Sequence, residues 1–151
     1  MHTEQIDLES DTAEAVLEEL ATYAYEQGYV EEAYVDALLE RERDHPTGLR
    51  IEREENPFGI AIPHADPDDV REQAILLGLP EETATFRSMD DKDKEIDINV
   101  VVLLLVTETD GYSAFLSNLT MLFQDDEFAQ MVVEKDADGI VELILERAVD
   151  V

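Results

Sequence analysis

Ile98-Asn99-Val100-Val101-Val102-Leu103-Leu104-Leu105-Val106 is the most apolar run in the chain, and Asn99 is its only polar member. A membrane-crossing helix needs roughly 18 such residues, and a strand with one wet face would alternate polar and apolar positions. The run therefore reads as a central strand covered on both faces. Such a strand requires further strands beside it and helices above and below.

Those partners are visible in both directions. Tyr112, Phe115, Leu116, Leu119, Leu122 and Phe123 recur at helical spacing, which predicts a helix over residues 112–123, and two more fit residues 127–134 and 139–147. Upstream, residues 73–79 are strand-like and stop at Pro80, and residues 83–86 read as an edge strand. Val16, Leu17, Leu20, Ala21 and Ala24 mark an amphipathic helix over residues 11–27, with Asp11 and Glu14 as its cap and Gly28 as its stop. A second helix over residues 31–43 puts Tyr34, Ala37 and Leu38 on one face with Arg41 one turn on, and ends before Pro46. Thr47-Gly48 is a turn, residues 49–51 a short strand, and residues 52–57 a loop. The helix–helix start breaks any regular βαβ alternation. The expected fold is a single α/β (α+β) domain over residues 1–151, a mixed sheet flanked by helices.

The charge is one-sided: 39 Asp and Glu against 10 Lys and Arg, for a net charge of -29. The three lysines, Lys92, Lys94 and Lys135, make no basic footprint for nucleic acid or anionic lipid. Acidic residues occur in every segment, which favours a surface suited to a cytoplasm of molar salt, where the Debye length is about 3 Å, over a patch for one basic partner. A halophilic source is expected. A hydrophobic fraction of 44% is that of a folded protein. Cysteine is absent, which removes disulfides, thiolate metal sites and a cysteine nucleophile. Nothing at the N-terminus resembles a signal peptide, so a cytoplasmic location without membrane insertion is expected.

The chemistry concentrates in Gly59-Ile60-Ala61-Ile62-Pro63-His64-Ala65-Asp66. Proline cannot extend a strand ladder and fixes its own φ, so the histidine after it is held at a strand end while still meeting solvent. Such a histidine can be a metal ligand, a general base or a phosphoryl acceptor. A metal site would draw on His64, Asp66, Asp68 and Asp69, but ligands normally come from several segments, and His2 and His45 lie in a terminus and a charged loop. No Gly-x-Ser-x-Gly elbow and no phosphate-binding glycine loop is present, which argues against a serine hydrolase and against direct use of a nucleotide.

Gly59-Ile60-Ala61-Ile62-Pro63-His64 resembles the active-site motif of the fructose/mannitol-type (type 2) enzyme IIA domains of the sugar phosphotransferase system. Upstream, Arg41-Glu42 followed by Pro46-Thr47-Gly48 resembles the Arg-Glu and Thr-Gly element of the same domains, and the order of helices and strands follows the family along nearly the whole chain. The spacing within these elements looks closest to the galactitol-type branch. The resemblance implies that His64 takes a phosphoryl group from the phosphocarrier HPr and passes it to an enzyme IIB domain that serves a membrane IIC permease, with no cofactor. It implies that Arg41 lies beside the phosphorylated histidine. Thr47 could add a hydroxyl donor. Many relatives carry a second histidine where this chain has Tyr112, and a tyrosine there can donate to phosphate but is a poor proton acceptor near neutral pH. Without a cysteine in the chain, a cysteine-type IIB partner is expected on a separate chain. Uptake of a sugar or hexitol of the fructose or galactitol class is the leading expectation. A regulatory module of the nitrogen-phosphotransferase kind is the alternative, and a metal-dependent enzyme using His64 and Asp66 the remote one.

Overall fold

The computed structural model describes residues 2–149, apart from the side chains of residues 109–111. In chain order its elements are β1 (His2–Leu8), α1 (Ala13–Glu26), α2 (Ala33–Asp44), β2 (Gly48–Ile51), β3 (Phe58–Ala61), β4 (Ala74–Pro80), β5 (Ala84–Arg87), β6 (Glu95–Ile98), β7 (Val100–Leu105), α3 (Thr109–Leu122), α4 (Asp126–Glu134) and α5 (Ala137–Ile144). The main sheet runs β1-β4-β7-β3-β2, and β5 and β6 form a separate hairpin. The sheet is mixed: β1 is parallel to β4 and β3 to β7, while β4 with β7 and β2 with β3 are antiparallel.

The central strand is buried on both faces, as its composition requires. Val100, Val102 and Leu104 point into one core with Ile75, Leu77, Phe58 and Ile60, closed by α3, α4 and α5. Val101, Leu103 and Leu105 point into the other with Ala74, Leu76 and Ala61, closed by α1, α2 and the β5–β6 hairpin. Strand residues alternate between faces, so one apolar run supplies both cores.

Three details differ from the sequence reading. The run 98–106 is not one strand: the chain leaves the hairpin at Ile98 and enters the main sheet at Val100. Asn99 makes the break, because its N–H donates to the Gly59 carbonyl at 2.8 Å and its side-chain oxygen accepts the Gly59 N–H at 2.8 Å. Residues His2–Leu8, outside the elements expected from the sequence, form β1, in register with β4 from His2 opposite Ala74 to Leu8 opposite Pro80. Its backbone pairing holds an edge strand in which only Leu8 is buried. The cap of α1 is Thr12, which accepts the Ala15 N–H, not Asp11. Gly28 follows the helix at φ +81, the left-handed conformation that a stop glycine supplies.

Gly59 lies where β3 passes under the turn between β6 and β7. A Cβ there would sit 2.0 Å from the Asp97 carbonyl oxygen and 3.2 Å from the Ile98 Cα. Both obstacles are backbone, so no rotamer change relieves the clash. Gly59→Ala is expected to lower stability by about 2 kcal/mol or more, read as a drop in the urea midpoint at unchanged slope. A midpoint equal to the parent's would show that the crossing is not close.

Candidate active site

Because β3 and β7 are parallel and paired through Ile60–Val100 and Ala61–Val101, their carboxyl ends leave the sheet side by side. Ligand sites in open sheets with helical crossovers lie outside such ends. Ile62 still donates its N–H to the Thr47 carbonyl at 3.3 Å, Pro63 then ends the pairing, and His64 follows. From the neighbouring strand the chain runs into α3, whose first turn delivers Tyr112 to the same place. The two ring centroids are 4.1 Å apart and tilted by 41°.

His64 is half-buried, and its Nδ1 lies 3.3 Å from the Ile62 carbonyl oxygen. A carbonyl only accepts, so Nδ1 carries the proton and Nε2 holds the free lone pair. The Tyr112 hydroxyl donates to the same carbonyl at 3.4 Å. Burial pushes the His64 pKa down to about 4, opposed by the Ile62 carbonyl and assisted by the neighbouring Arg41 and His45. The imidazole is thus neutral, hence nucleophilic, at pH 7. Burial, with help from Tyr34 and Glu42 and against Arg41, holds the Tyr112 phenol well above its ordinary value. Tyr112 remains a protonated donor and takes no proton.

Arg41 and Glu42 occupy the last turn of α2. Arg41 is exposed and close enough to act electrostatically on His64, Tyr112 and Glu42. Glu42 is buried, and its carboxylate accepts the Thr47 N–H at 2.9 Å and the Thr47 hydroxyl at 2.5 Å. Desolvation raises its pKa to about 7, against those two hydrogen bonds and Arg41. The Thr47 hydroxyl is therefore given to Glu42 and does not face His64 as a donor, since a buried carboxylate takes the nearest donors. Thr47 serves the site through its carbonyl, which fixes Ile62.

The structure thus brings His64, Arg41 and Tyr112 together and sets Thr47 behind them. Three neighbours escape the sequence reading. His45, which reads as a plain loop histidine, lies within electrostatic reach of His64. Glu42 is read only as part of the Arg-Glu element, which gives no sign of its burial against Thr47. Tyr34 looks like an ordinary core position of α2. Helical spacing held the one available signal: residues 34, 38, 41 and 42 share a face that includes Arg41. Asp66 and Asp68 are exposed, and among the described residues no group of three or more His, Asp or Glu side chains could hold a metal ion.

Residues 1–147 match the family described as "Phosphoenolpyruvate-dependent sugar phosphotransferase system, EIIA 2". The chain is 28% identical over 148 residues to the fructose-specific EIIABC component of Bacillus subtilis, covering 95% of this chain but 22% of that protein. It is 30% identical over 143 residues to the fructose-specific EIIA component of Haloferax volcanii, covering 92% of this chain and 86% of that one. To the galactitol-specific EIIA component of Escherichia coli it is 31% identical over 91 residues, 60% of this chain and 57% of that one. Among solved structures, the complex of enzyme IIAMTL and phosphorylated enzyme IIBMTL from Escherichia coli superposes with a TM-score of 0.70 at 21% identity, covering 95% of this chain and 94% of that one.

The neutral imidazole has a measurable signature. Its folded pKa lies below the unfolded value of about 6.5, so the unfolded chain binds the extra proton, and this group's contribution to stability is lost as pH falls from about 6.5 to about 4. The His64 ring signals in NMR are expected to titrate with a midpoint near 4. His64→Ala should remove the stability loss in that window. A midpoint near 6.5 would overturn the assignment of a desolvated ring.

Proposed function

Since the chain belongs to the phosphoenolpyruvate-dependent sugar phosphotransferase system EIIA 2 family, whose members are phosphotransferases acting through a phosphohistidine, we propose that His64 is the residue that carries the phosphoryl group. The observation that carries this reading is the half-buried neutral imidazole, tied at Nδ1 to Ile62 with Nε2 unencumbered, beside the Arg41 guanidinium. The Nε2 lone pair attacks phosphorus of the phosphohistidine on HPr. The new N–P bond forms as the donor's N–P bond breaks, and the donor imidazole keeps the electron pair. Arg41 neutralises charge on the equatorial oxygens. Among the described residues, the backbone N–H groups of His64 and Asp66 have no hydrogen-bond acceptor, which leaves them free for those oxygens. Tyr112 packs on the ring, and Thr47 and Glu42 hold Ile62 from behind.

Transfer then proceeds to an enzyme IIB domain that phosphorylates a sugar or hexitol at a IIC permease, in the cytoplasm. The Haloferax relative, similar along most of its length, supports the fructose class, whereas the shorter match to the galactitol component supports the other branch. The net charge of -29 and the Haloferax relative support a halophilic setting. A regulatory role is the second reading, supported by the fold alone, through a likeness to the nitrogen regulatory protein IIA-Ntr of Neisseria meningitidis with a TM-score of 0.64 at 19% identity.

Incubation with enzyme I, HPr and phosphoenolpyruvate is expected to label the protein with one acid-labile phosphoryl group. His64→Ala should abolish the label, and Arg41→Ala should slow labelling by about 100-fold, the effect of losing one such stabilising donor. Label surviving in His64→Ala would overturn the assignment. Discharge on addition of a IIB domain separates transport from regulation.

Salt gives an independent check. With an acidic partner the carrier, the partner and the phosphate all bring negative charge, so transfer at low ionic strength is slowed by repulsion from a net charge of -29. The transfer rate is expected to rise from low to molar salt. A rate that falls throughout would point to a basic docking partner.

A further inference from the structure

Tyr34 stands in the first turn of α2, seven residues and about 10 Å along the helix axis from Arg41. Its side chain is 1% exposed. Among the described residues, its hydroxyl is the only fully buried side-chain polar atom that has no hydrogen-bond partner. Burying an unpaired hydroxyl carries a penalty that phenylalanine would avoid at the same shape. The hydroxyl is therefore a poor choice for the stability of the resting protein.

The core around Tyr34 includes Ala61, Ala65 and Val70 from the segment that carries His64. That segment is pinned at both ends. Ile62 is held to the Thr47 carbonyl, and beyond the site Glu31 donates its N–H to the Asp69 carbonyl at 2.8 Å while Val30 bridges to Val70. The Arg71 guanidinium closes this second anchor on Glu31 at 2.6 and 2.8 Å. Between the anchors the amides of His64, Ala65 and Asp66 lack acceptors among the described residues. The Tyr34 phenol feels the Ala65 backbone amide without a formed hydrogen bond, and it lies within electrostatic reach of Tyr112.

We propose that Tyr34 is a positioning residue for phosphorylated His64: its hydroxyl oxygen accepts the Ala65 N–H when the pinned segment tightens around the phosphoryl group. Ala65 packs against the core that holds Tyr34, the hydroxyl is unpaired in the free protein, and the pairing forms in the phosphorylated one. This rests on the reading of His64 as the phosphoryl acceptor. Tyr34 touches neither the phosphoryl group nor the partner. It stabilises the charged state of the carrier relative to the free state by one neutral hydrogen bond, and so sets how readily the group is passed on.

Tyr34→Phe separates this from a structural role. The unphosphorylated variant is expected to melt at or above the temperature of the parent, because it loses an unpaired buried hydroxyl. Its equilibrium level of phosphorylation against a fixed ratio of phospho-HPr to HPr should correspond to a constant about three- to tenfold lower, the worth of one hydrogen bond. A second measurement does not depend on that variant's yield: in the parent, phosphorylation should slow hydrogen exchange at the Ala65 amide and shift its proton downfield, changes absent in Tyr34→Phe. A lower melting temperature of the unphosphorylated variant, an unchanged phosphorylation constant, or an Ala65 amide indifferent to phosphorylation would each overturn the proposal. Failure of the parent itself to be labelled would instead overturn the phosphoryl-acceptor reading and this inference with it.

Discussion

Burial of β7 on both faces is the constraint from which the rest of the architecture follows. Val100, Val102 and Leu104 face one core and Val101, Leu103 and Leu105 the other, so neither face can be left to water without exposing three large apolar side chains. The strand must then be central, with β4 and β3 on its two sides and helices on both faces. Its parallel pairing with β3 sends both carboxyl ends out of the sheet together. One end becomes Pro63-His64 and the other the start of α3. The packing that stabilises the fold therefore also fixes the distance between His64 and Tyr112.

Asn99 and Gly59 join the two parts of this arrangement. Asn99 ends the hairpin strand, starts the central one, and holds Gly59 by two hydrogen bonds. Gly59 in turn has no room for a side chain against Asp97. The first residue of the histidine motif is thus a packing residue, and its consequence is functional: β3 is locked in register five residues before His64. The motif combines a close backbone crossing at one end with reactive chemistry at the other.

The legible parts of the sequence were those with a periodic or local cause. Helical spacing located α1 to α5 within a few residues, and the uninterrupted apolar run located the central strand. Proline before histidine placed His64 just past a strand end, and only the family resemblance pointed to Arg41 near it. Three things lacked such a cause. β1 is held by backbone pairing to β4, and its side chains carry almost no hydrophobic signal. The break at Asn99 depends on a residue forty positions away. Glu42 is buried although acids in this chain are overwhelmingly on the surface, and only Thr47, brought back by the turn at Pro46, explains how it is satisfied.

The electrostatics of the site run against those of the molecule. A surface of -29 raises the affinity of a titratable group for protons, yet His64 sits far below the ordinary histidine value. Desolvation is the largest cause, and Arg41 and His45 nearby add to it. At molar salt the distant acids are screened within about 3 Å, while burial is untouched by salt. A histidine kept neutral by burial therefore stays neutral at low and high ionic strength alike. The same logic separates the two α2 residues: Glu42 is buried and satisfied by Thr47 behind the site, and Arg41 is exposed within electrostatic reach of His64.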